Sequence, residues 1–238
     1  VYGNHTSEPC HAATFAASSC SQAYRWNLDY VTDDHGNAVS YWFTPESGYY
    51  GADNGTAPAS YTRGGYLSKI QYGQRAGQVY DTAGTPAPAQ VFFDTAERCR
   101  ADANFDCAPA KLTAANSARW PDVPFDQICP STGICNNHGP AYFTTKWLTG
   151  IRTQVLVGST YKDVDSWSLA HSFPPATDAQ DTTTPTAWLS SITRTGLDGG
   201  TQSLKPLTFA GQAMVNRVDG LDGYQPLARY RLTTITTE

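Results

Sequence analysis

The sequence is poor in charged residues and contains no long apolar run. Only 16% of its 238 residues are charged, and 16 Lys and Arg against 21 Asp and Glu give a net charge of -5. Nucleic-acid binding depends largely on Lys and Arg contacting phosphates, so this balance argues against a nucleic-acid partner. No stretch approaches the roughly 20 apolar residues that span a bilayer, so we expect no membrane span.

Several signatures of catalysis and metal binding are also missing. No Gly-x-Ser-x-Gly elbow is present, although nucleophilic serines of one large hydrolase class require it. The cysteines do not form the closely spaced clusters with histidine that zinc sites use. We therefore predict a non-catalytic protein without a bound cofactor or metal.

Two polar groups have a chemical and a structural interpretation. Asp163 and Asp165 lie two residues apart and could share a strand face, and paired carboxylates about 5 to 9.5 Å apart serve glycoside hydrolysis. His171 and Ser172 are adjacent, so in a strand they face opposite sides. For the two aspartates, the favoured interpretation is a solvated strand start. For His171, it is a half-buried histidine beside Trp167.

Loop residues supply weaker metal candidates. Asp219 and Asp222 lie in a glycine-rich turn that resembles a Ca²⁺ loop but lacks the EF-hand spacing and closing Glu. His5, Glu8 and His11 could bind a metal, but their order is typical of loop composition. We interpret both segments as turns.

The six cysteines form three close pairs along the chain. Loop-closure entropy favours pairing of the nearest partners, which predicts three local disulfides and an oxidising, extracellular location. A metal site is the alternative. The predicted pairs are Cys10 with Cys20, Cys99 with Cys107, and Cys129 with Cys135.

A Leu-x-x-Ile pattern recurs along the chain and predicts a repeat architecture. Its leucines are Leu67, Leu148, Leu189 and Leu232, with a weaker copy at Leu28. The spacings of about 40 residues, or about twice that, are typical of repeat proteins. Thr, Val, Tyr and Trp flank these segments and favour strands, in which an odd spacing places Leu and Ile on opposite faces.

The rest of the chain fits an all-β, antiparallel sheet. Residues 24–43 alternate apolar and polar side chains around a turn at 33–37, which predicts a β-hairpin. Residues 44–60 are rich in Gly, Asn, Ser and Pro and are predicted to be loop. Residues 95–140 lack periodicity and are interpreted as a disulfide-stapled insertion within a single β-rich fragment, 1–238. Leu148, Ile151, Leu189 and Ile192 are expected to be mostly buried.

These motifs resemble the Rhs/YD-repeat proteins and the related B component of insecticidal toxin complexes. Residues 61–67, Tyr-Thr-Arg-Gly-Gly-Tyr-Leu, are similar to the YD repeat, with Thr62 in place of its Asp and Tyr66 in place of its Arg. The segment 26–43 is similar to the family's hairpin. The order of the motifs at residues 167–169, 189–192 and 206–209 matches the region upstream of the repeats in the toxin B component.

The resemblance implies a secreted protein whose repeats wind β-strands into a hollow shell around a C-terminal effector polypeptide. This chain would be a non-catalytic fragment of that shell, excised from a longer protein, and its partner would be the remainder of its own polypeptide. The 6 Trp and 14 Tyr leave an alternative, a carbohydrate-binding β-module that contacts glycans through exposed aromatic rings. A β-rich glycan-processing enzyme is the third hypothesis.

Overall fold

A computed structural model describes residues 5–80, 85–175, 185–215 and 228–237. Within these ranges the regular secondary structure is almost entirely strand. The strands are β1 (Tyr30–Thr32), β2 (Asn37–Ala52), β3 (Ala57–Arg75), β4 (Ala89–Glu97), β5 (Lys146–Val157), β6 (Thr160–Ser172), β7 (Trp188–Gly196), β8 (Gln202–Ser203), β9 (Leu207–Met214) and β10 (Arg229–Thr236). Short 3-10 helices occupy Ala76–Gln78, Pro109–Lys111, Ala114–Arg119 and Phe125–Gln127.

The strands form one open antiparallel sheet, so the predicted all-β class is confirmed. In the described part of the chain the sheet has 10 strands in the order β1-β2-β3-β4-β5-β6-β7-β9-β10, and β8 pairs with β7. Nearly every strand therefore lies beside its neighbour in sequence, as hairpin connections require. None of the helices within these ranges has the length and apolar character needed to cross a membrane.

The chain divides into two compact units. Unit 1 comprises the described parts of Val1–Asp29, Phe43–Tyr66 and Pro124–Thr144, and unit 2 those of Tyr30–Trp42, Leu67–Val123 and Thr145–Glu238. The cysteine-rich segment that the sequence analysis delimited at 95–140 contributes residues to both units, and its first residues belong to β4. That residues 1–238 form a single β-rich fragment stays a prediction.

The first hairpin is confirmed around its turn, but its first strand covers only Tyr30–Thr32 rather than starting at residue 24. The loop predicted at residues 44–60 is wrong. Strand β2 continues to Ala52 and β3 begins at Ala57, so only residues 53–56 form a turn. Glycines in these strands mark close approaches of the backbone rather than flexible loop. A Cβ atom on Gly51 would lie 2.1 Å from the carbonyl oxygen of Cys135, so only glycine fits.

All four strong Leu-x-x-Ile segments lie within strands, as predicted. Residues 67–70 belong to β3, 148–151 to β5, 189–192 to β7 and 232–235 to β10. In the weak copy, Leu28 precedes β1, whereas Val31 lies within it. The strong copies of the motif therefore lie in every second strand of the sheet from β3 to β10.

The expectation that Leu and Ile point to opposite faces is wrong in β5. Leu148 lies opposite Thr95 and Ile151 opposite Phe93, with Thr149 as an extra residue in between. Thr95 and Phe93 are two apart in β4 and share a face. Because a β-bulge adds one residue to its strand, Leu148 and Ile151 also share that face.

The same bulge recurs in β7 and β10. Leu189 and Ile192 lie opposite residues 171 and 169 of β6, which share a face. Leu232 and Ile235 lie opposite residues 211 and 209 of β9. The motif therefore marks a bulged strand whose Leu and Ile lie on one side, in three of its four strong copies.

The predicted burial of these residues is confirmed in part, since they are neither exposed nor fully buried. Leu148, Ile151, Leu189 and Ile192 all have intermediate exposure, and Leu232 is 50% exposed. Among the described residues, the fully buried hydrophobic side chains include no Leu, Ile or Phe. The physical reason is that the described strands form a single sheet, with no second sheet packed on either face.

Three disulfides join the nearest cysteines, as loop closure predicted. The bonds are Cys10–Cys20, Cys99–Cys107 and Cys129–Cys135. In unit 2, the Cys99–Cys107 bond belongs to the irregular segment 98–123, where Trp120 is 1% exposed and packs edge-on against Phe105. The largest fully buried side chain among the described residues therefore lies in an irregular segment.

Candidate functional site

In the four strong copies of the motif, the residue after the leucine carries a hydroxyl group that bonds to a neighbouring strand. The donor–acceptor distances to the backbone carbonyls are 2.9 Å for Ser68 to Trp42, 3.1 Å for Thr149 to Asp94, 3.0 Å for Ser190 to Ala170 and 3.3 Å for Thr233 to Ala210. Three of these residues, Thr149, Ser190 and Thr233, are the extra residues of the bulges. We call these three side-chain bonds the bulge locks.

A bulge disrupts the backbone ladder and leaves carbonyl groups that need another donor. The Ser or Thr hydroxyl supplies that donor at the bulge itself. Sequence reasoning missed this role because it treated the position as a spacer, yet a hydroxyl residue follows the leucine in all four strong copies.

The strands of unit 2 present an apolar face. Residues directly opposite one another in an antiparallel pair share a face. The register forms one row from Phe93, Ile151 and Trp167, and a second row from Leu169, Ile192 and Leu207. All six side chains are half-buried, so this face retains apolar surface that water contacts.

The opposite face carries a ladder of amide side chains. Gln71 donates to Gln90 over 3.2 Å, Gln90 to Gln154 over 2.8 Å, and Gln154 to Asp163 over 2.6 Å. The ladder crosses β3, β4, β5 and β6, and its central residue Gln90 is 4% exposed. Side-chain hydrogen bonds therefore reinforce the backbone pairing on this face.

Ion pairs accompany the ladder. Arg152 contacts both carboxylate oxygens of Asp94, at 2.8 and 2.9 Å, and lies 4.0 Å from Asp163. The hydrogen bonds from Arg152 lower the pKa of Asp94 and raise that of Arg152 itself. The carboxylate of Asp94 is held ionised by Arg152, which suits a structural role better than proton transfer.

Asp163 and Asp165 do not share a face of β6. Asp163 lies opposite Gln154 and Asp165 opposite Thr153, because β6 has a bulge between them. Gln154 and Thr153 are adjacent in β5 and point to opposite faces. Asp165 instead accepts two hydrogen bonds from Arg194, at 3.1 and 3.2 Å. The two carboxylates therefore do not form the pair that glycoside hydrolysis needs.

His171 is a packed side chain in unit 2. Its ring stacks on Trp147 with centroids 4.6 Å apart, and Phe173 stacks on the same indole at 5.3 Å. Burial lowers the pKa of His171. The adjacent Ser172 lies opposite Trp188, whereas His171 lies opposite Leu189, so the two side chains point to opposite faces.

The weak metal candidates fall in two segments, of which the structure describes only the one that contains His5, Glu8 and His11. Asp219 and Asp222 lie outside the described residues. His5 bonds to the hydroxyl of Ser7 at 2.9 Å. Within the described ranges, one trio of possible ligands converges, at the exposed residues 33–35, where the carboxylate of Asp33 accepts the backbone N–H groups of the hairpin turn.

Unit 1 contains two clefts that sequence reasoning did not find. The smaller, of about 330 Å³, is lined mainly by residues 22–27, 43–45 and 62–65. The larger, of about 790 Å³, lies between the Cys10–Cys20 loop and residues 50–54, with His138 and Pro140 at its side. Gln22 lines both clefts. These residues are far apart in sequence, so no local pattern predicts the clefts.

A comparison with known proteins finds a weak structural neighbour. A structure described as the crystal structure of TcdB2-TccC3-TEV aligns with 82% of this chain at 14% sequence identity and a TM-score of 0.43. The aligned part makes up 9% of that chain. No protein-family model matches the sequence, and no curated protein matches it.

Proposed function

We propose that this chain is a non-catalytic structural fragment of a secreted Rhs/YD-repeat shell, and that its partners are the remainder of its own polypeptide and an enclosed effector. The observation that carries the proposal is the bulge in the Leu-x-x-Ile motif, at the same position in β5, β7 and β10. A motif that recurs with the same backbone irregularity is a repeated structural unit.

Regular bulges suit the wall of a hollow body. A bulge bends its strand and increases the local twist, and bulges at defined positions are the means by which sheets acquire curvature. The bulge locks hold this irregularity through a side-chain hydrogen bond in each of three strands. A repeated bend of this kind would let successive strands wind around an interior.

The half-buried apolar face also supports a wall rather than an isolated domain. Its rows carry aromatic and branched side chains that would gain roughly 25 cal/mol for each Å² removed from water. Polypeptide packed on this face within the parent protein would supply that burial. The disulfides favour a secreted location, because such bonds persist in oxidising compartments.

The test compares two triple variants within the parent polypeptide. One removes the bulge locks through Thr149→Val, Ser190→Ala and Thr233→Val, and the other removes hydroxyls elsewhere in the sheet through Ser168→Ala, Thr193→Val and Thr208→Val. We expect limited proteolysis to release the enclosed polypeptide from the first variant only. Equal protection in both variants, or cleavage of that polypeptide in the unmodified protein, would contradict the proposal.

A further inference from the structure

The two clefts of unit 1 have the composition of a carbohydrate site. Among their lining residues, amide and hydroxyl side chains predominate over charged ones, including Gln22, Asn27, Thr44, Thr62 and Asn54. Such groups both donate and accept hydrogen bonds, as sugar hydroxyls do. Arg25 is the one charged residue lining the smaller cleft. A single cation is too few to balance a polyanionic ligand, so such a ligand is disfavoured.

The aromatic ring of Tyr24 lines the smaller cleft and packs against a second tyrosine. Tyr24 is 46% exposed and lies 4.1 Å from Tyr142, measured between ring centroids. Tyr142 packs edge-on against Tyr61 at 5.9 Å. The hydroxyl of Tyr61 donates to the carbonyl of Ala141 over 2.5 Å and accepts its N–H over 3.0 Å. The ring of Tyr24 is therefore positioned before any ligand arrives, which reduces the entropy lost on binding.

The polar groups of the same cleft are also positioned. The guanidinium group of Arg25 donates to the side chain of Asn27 over 3.0 Å and to the carbonyl of Gly65 over 3.5 Å. A Cβ atom on Gly65 would lie 3.0 Å from the carbonyl oxygen of Thr44. Glycine at this position allows close backbone packing and adds no side chain to the cleft lining.

The dimensions fit more than one sugar residue. The volumes of about 330 and 790 Å³ fall in the range of small-ligand sites, and Gln22 lines both. Phe15 and Tyr50 line the larger cleft, which adds aromatic surface beyond Tyr24. Aromatic rings along a polar, sparsely charged groove match the alternating apolar and hydroxyl surfaces of an oligosaccharide.

We propose that these clefts form one groove that binds a neutral oligosaccharide, with Tyr24 stacking on a sugar ring and Gln22 and Asn27 bonding to its hydroxyls. This site is separate from the strands of unit 2 that support the shell proposal. The bulge-lock variants and the groove variants therefore test the two proposals independently.

The experiment probes a glycan array with the 238-residue chain and then measures affinity for the best neutral oligosaccharide by calorimetry. We expect saturable binding that Tyr24→Ala weakens by about tenfold or more, the effect of losing one anchoring aromatic contact. Tyr24→Phe should retain the affinity, because it keeps the ring. Tyr72→Ala is the matched control, since Tyr72 is 39% exposed in β3 of unit 2.

Three results would overturn the proposal. An array without bound glycan would exclude the site, and so would binding that Tyr24→Ala and Tyr72→Ala weaken equally. Retention of extended peptides in place of glycans, with loss on Tyr24→Ala, would identify the groove as a peptide site. Near-UV circular dichroism of each variant establishes that the fold is intact.

Discussion

Within unit 2, the repeat strands and the irregular segment 98–123 achieve order by different means. The strands keep their large apolar side chains half-exposed and depend on backbone pairing, the glutamine ladder and the bulge locks. The irregular segment has no strand, yet it contains the fully buried Trp120 and a disulfide. Periodic sequence thus produces a sheet whose faces remain open, and aperiodic sequence produces a small closed core.

The ion pairs of the irregular segment reinforce this difference. Arg98 and Asp122 lie 2.9 Å apart with side chains only 17% and 14% exposed, and Asp122 also accepts the backbone N–H of Ala187 over 3.0 Å. The cations of Lys111 and Arg119 lie 5.0 and 4.8 Å from the ring centroid of Phe105. The segment is therefore bound at its own ends and to the start of β7.

The largest expected effect is the loss of the closed core. We expect Trp120→Ala to reduce the free energy of unfolding by about 3 to 5 kcal/mol, because it leaves a cavity at a fully buried ring. Urea denaturation monitored by far-UV circular dichroism measures the change. A loss below about 1 kcal/mol would show that segment 98–123 contributes little to the stability of unit 2.

Removal of the disulfide in the same segment should have the next largest effect. The Cys99→Ser, Cys107→Ser double variant opens a loop with a sequence separation of 8, and loop-closure entropy predicts a cost of about 2.5 kcal/mol. Hydrogen exchange should rise within 98–123 and stay low in β5 and β6. Faster exchange in both segment 98–123 and the strands β5 and β6 would show that the sheet depends on the disulfide as much as the irregular segment does.

The repeat strands should tolerate truncation better than a closed core. Leu189 has intermediate exposure, so we expect Leu189→Ala to cost about 1 to 2 kcal/mol rather than the roughly 2 to 5 kcal/mol of a fully buried leucine. Urea titrations of the Leu189→Ala and Trp120→Ala variants compare the two losses in the free energy of unfolding. A loss as large as that of Trp120→Ala would mean that the sheet has a core of its own.

The smallest effect concerns pH. Burial lowers the pKa of His171 below its ordinary value of 6.5, so the unfolded chain takes up a proton before the folded one does. Stability from this residue is therefore present above pH about 6.5 and decreases as the pH falls below it. Thermal melts at pH 7.5 and 5.5 should show a smaller pH-dependent decrease for His171→Gln than for the unmodified chain. An equal decrease would contradict this assignment.

Local chemistry determined much of the sheet. The turn at residues 33–37 predicted the first hairpin, and the recurring Leu-x-x-Ile pattern predicted the strands β3, β5, β7 and β10. Short loop closure predicted the three disulfides. These features depend on residues near one another in the chain, so their signals are present in short windows of sequence.

Tertiary structure alone decided which face each side chain occupies and where the clefts lie. One extra residue at Thr149, Ser190 or Thr233 moves an isoleucine to the other side of the sheet, because side chains alternate with a period of two. The composition near residue 51 predicted a loop. In the folded chain, the glycines there pack against the backbone of Cys135, which is distant in sequence. Tyr24 and Tyr142 meet only after folding, so no pattern within either segment could reveal the groove.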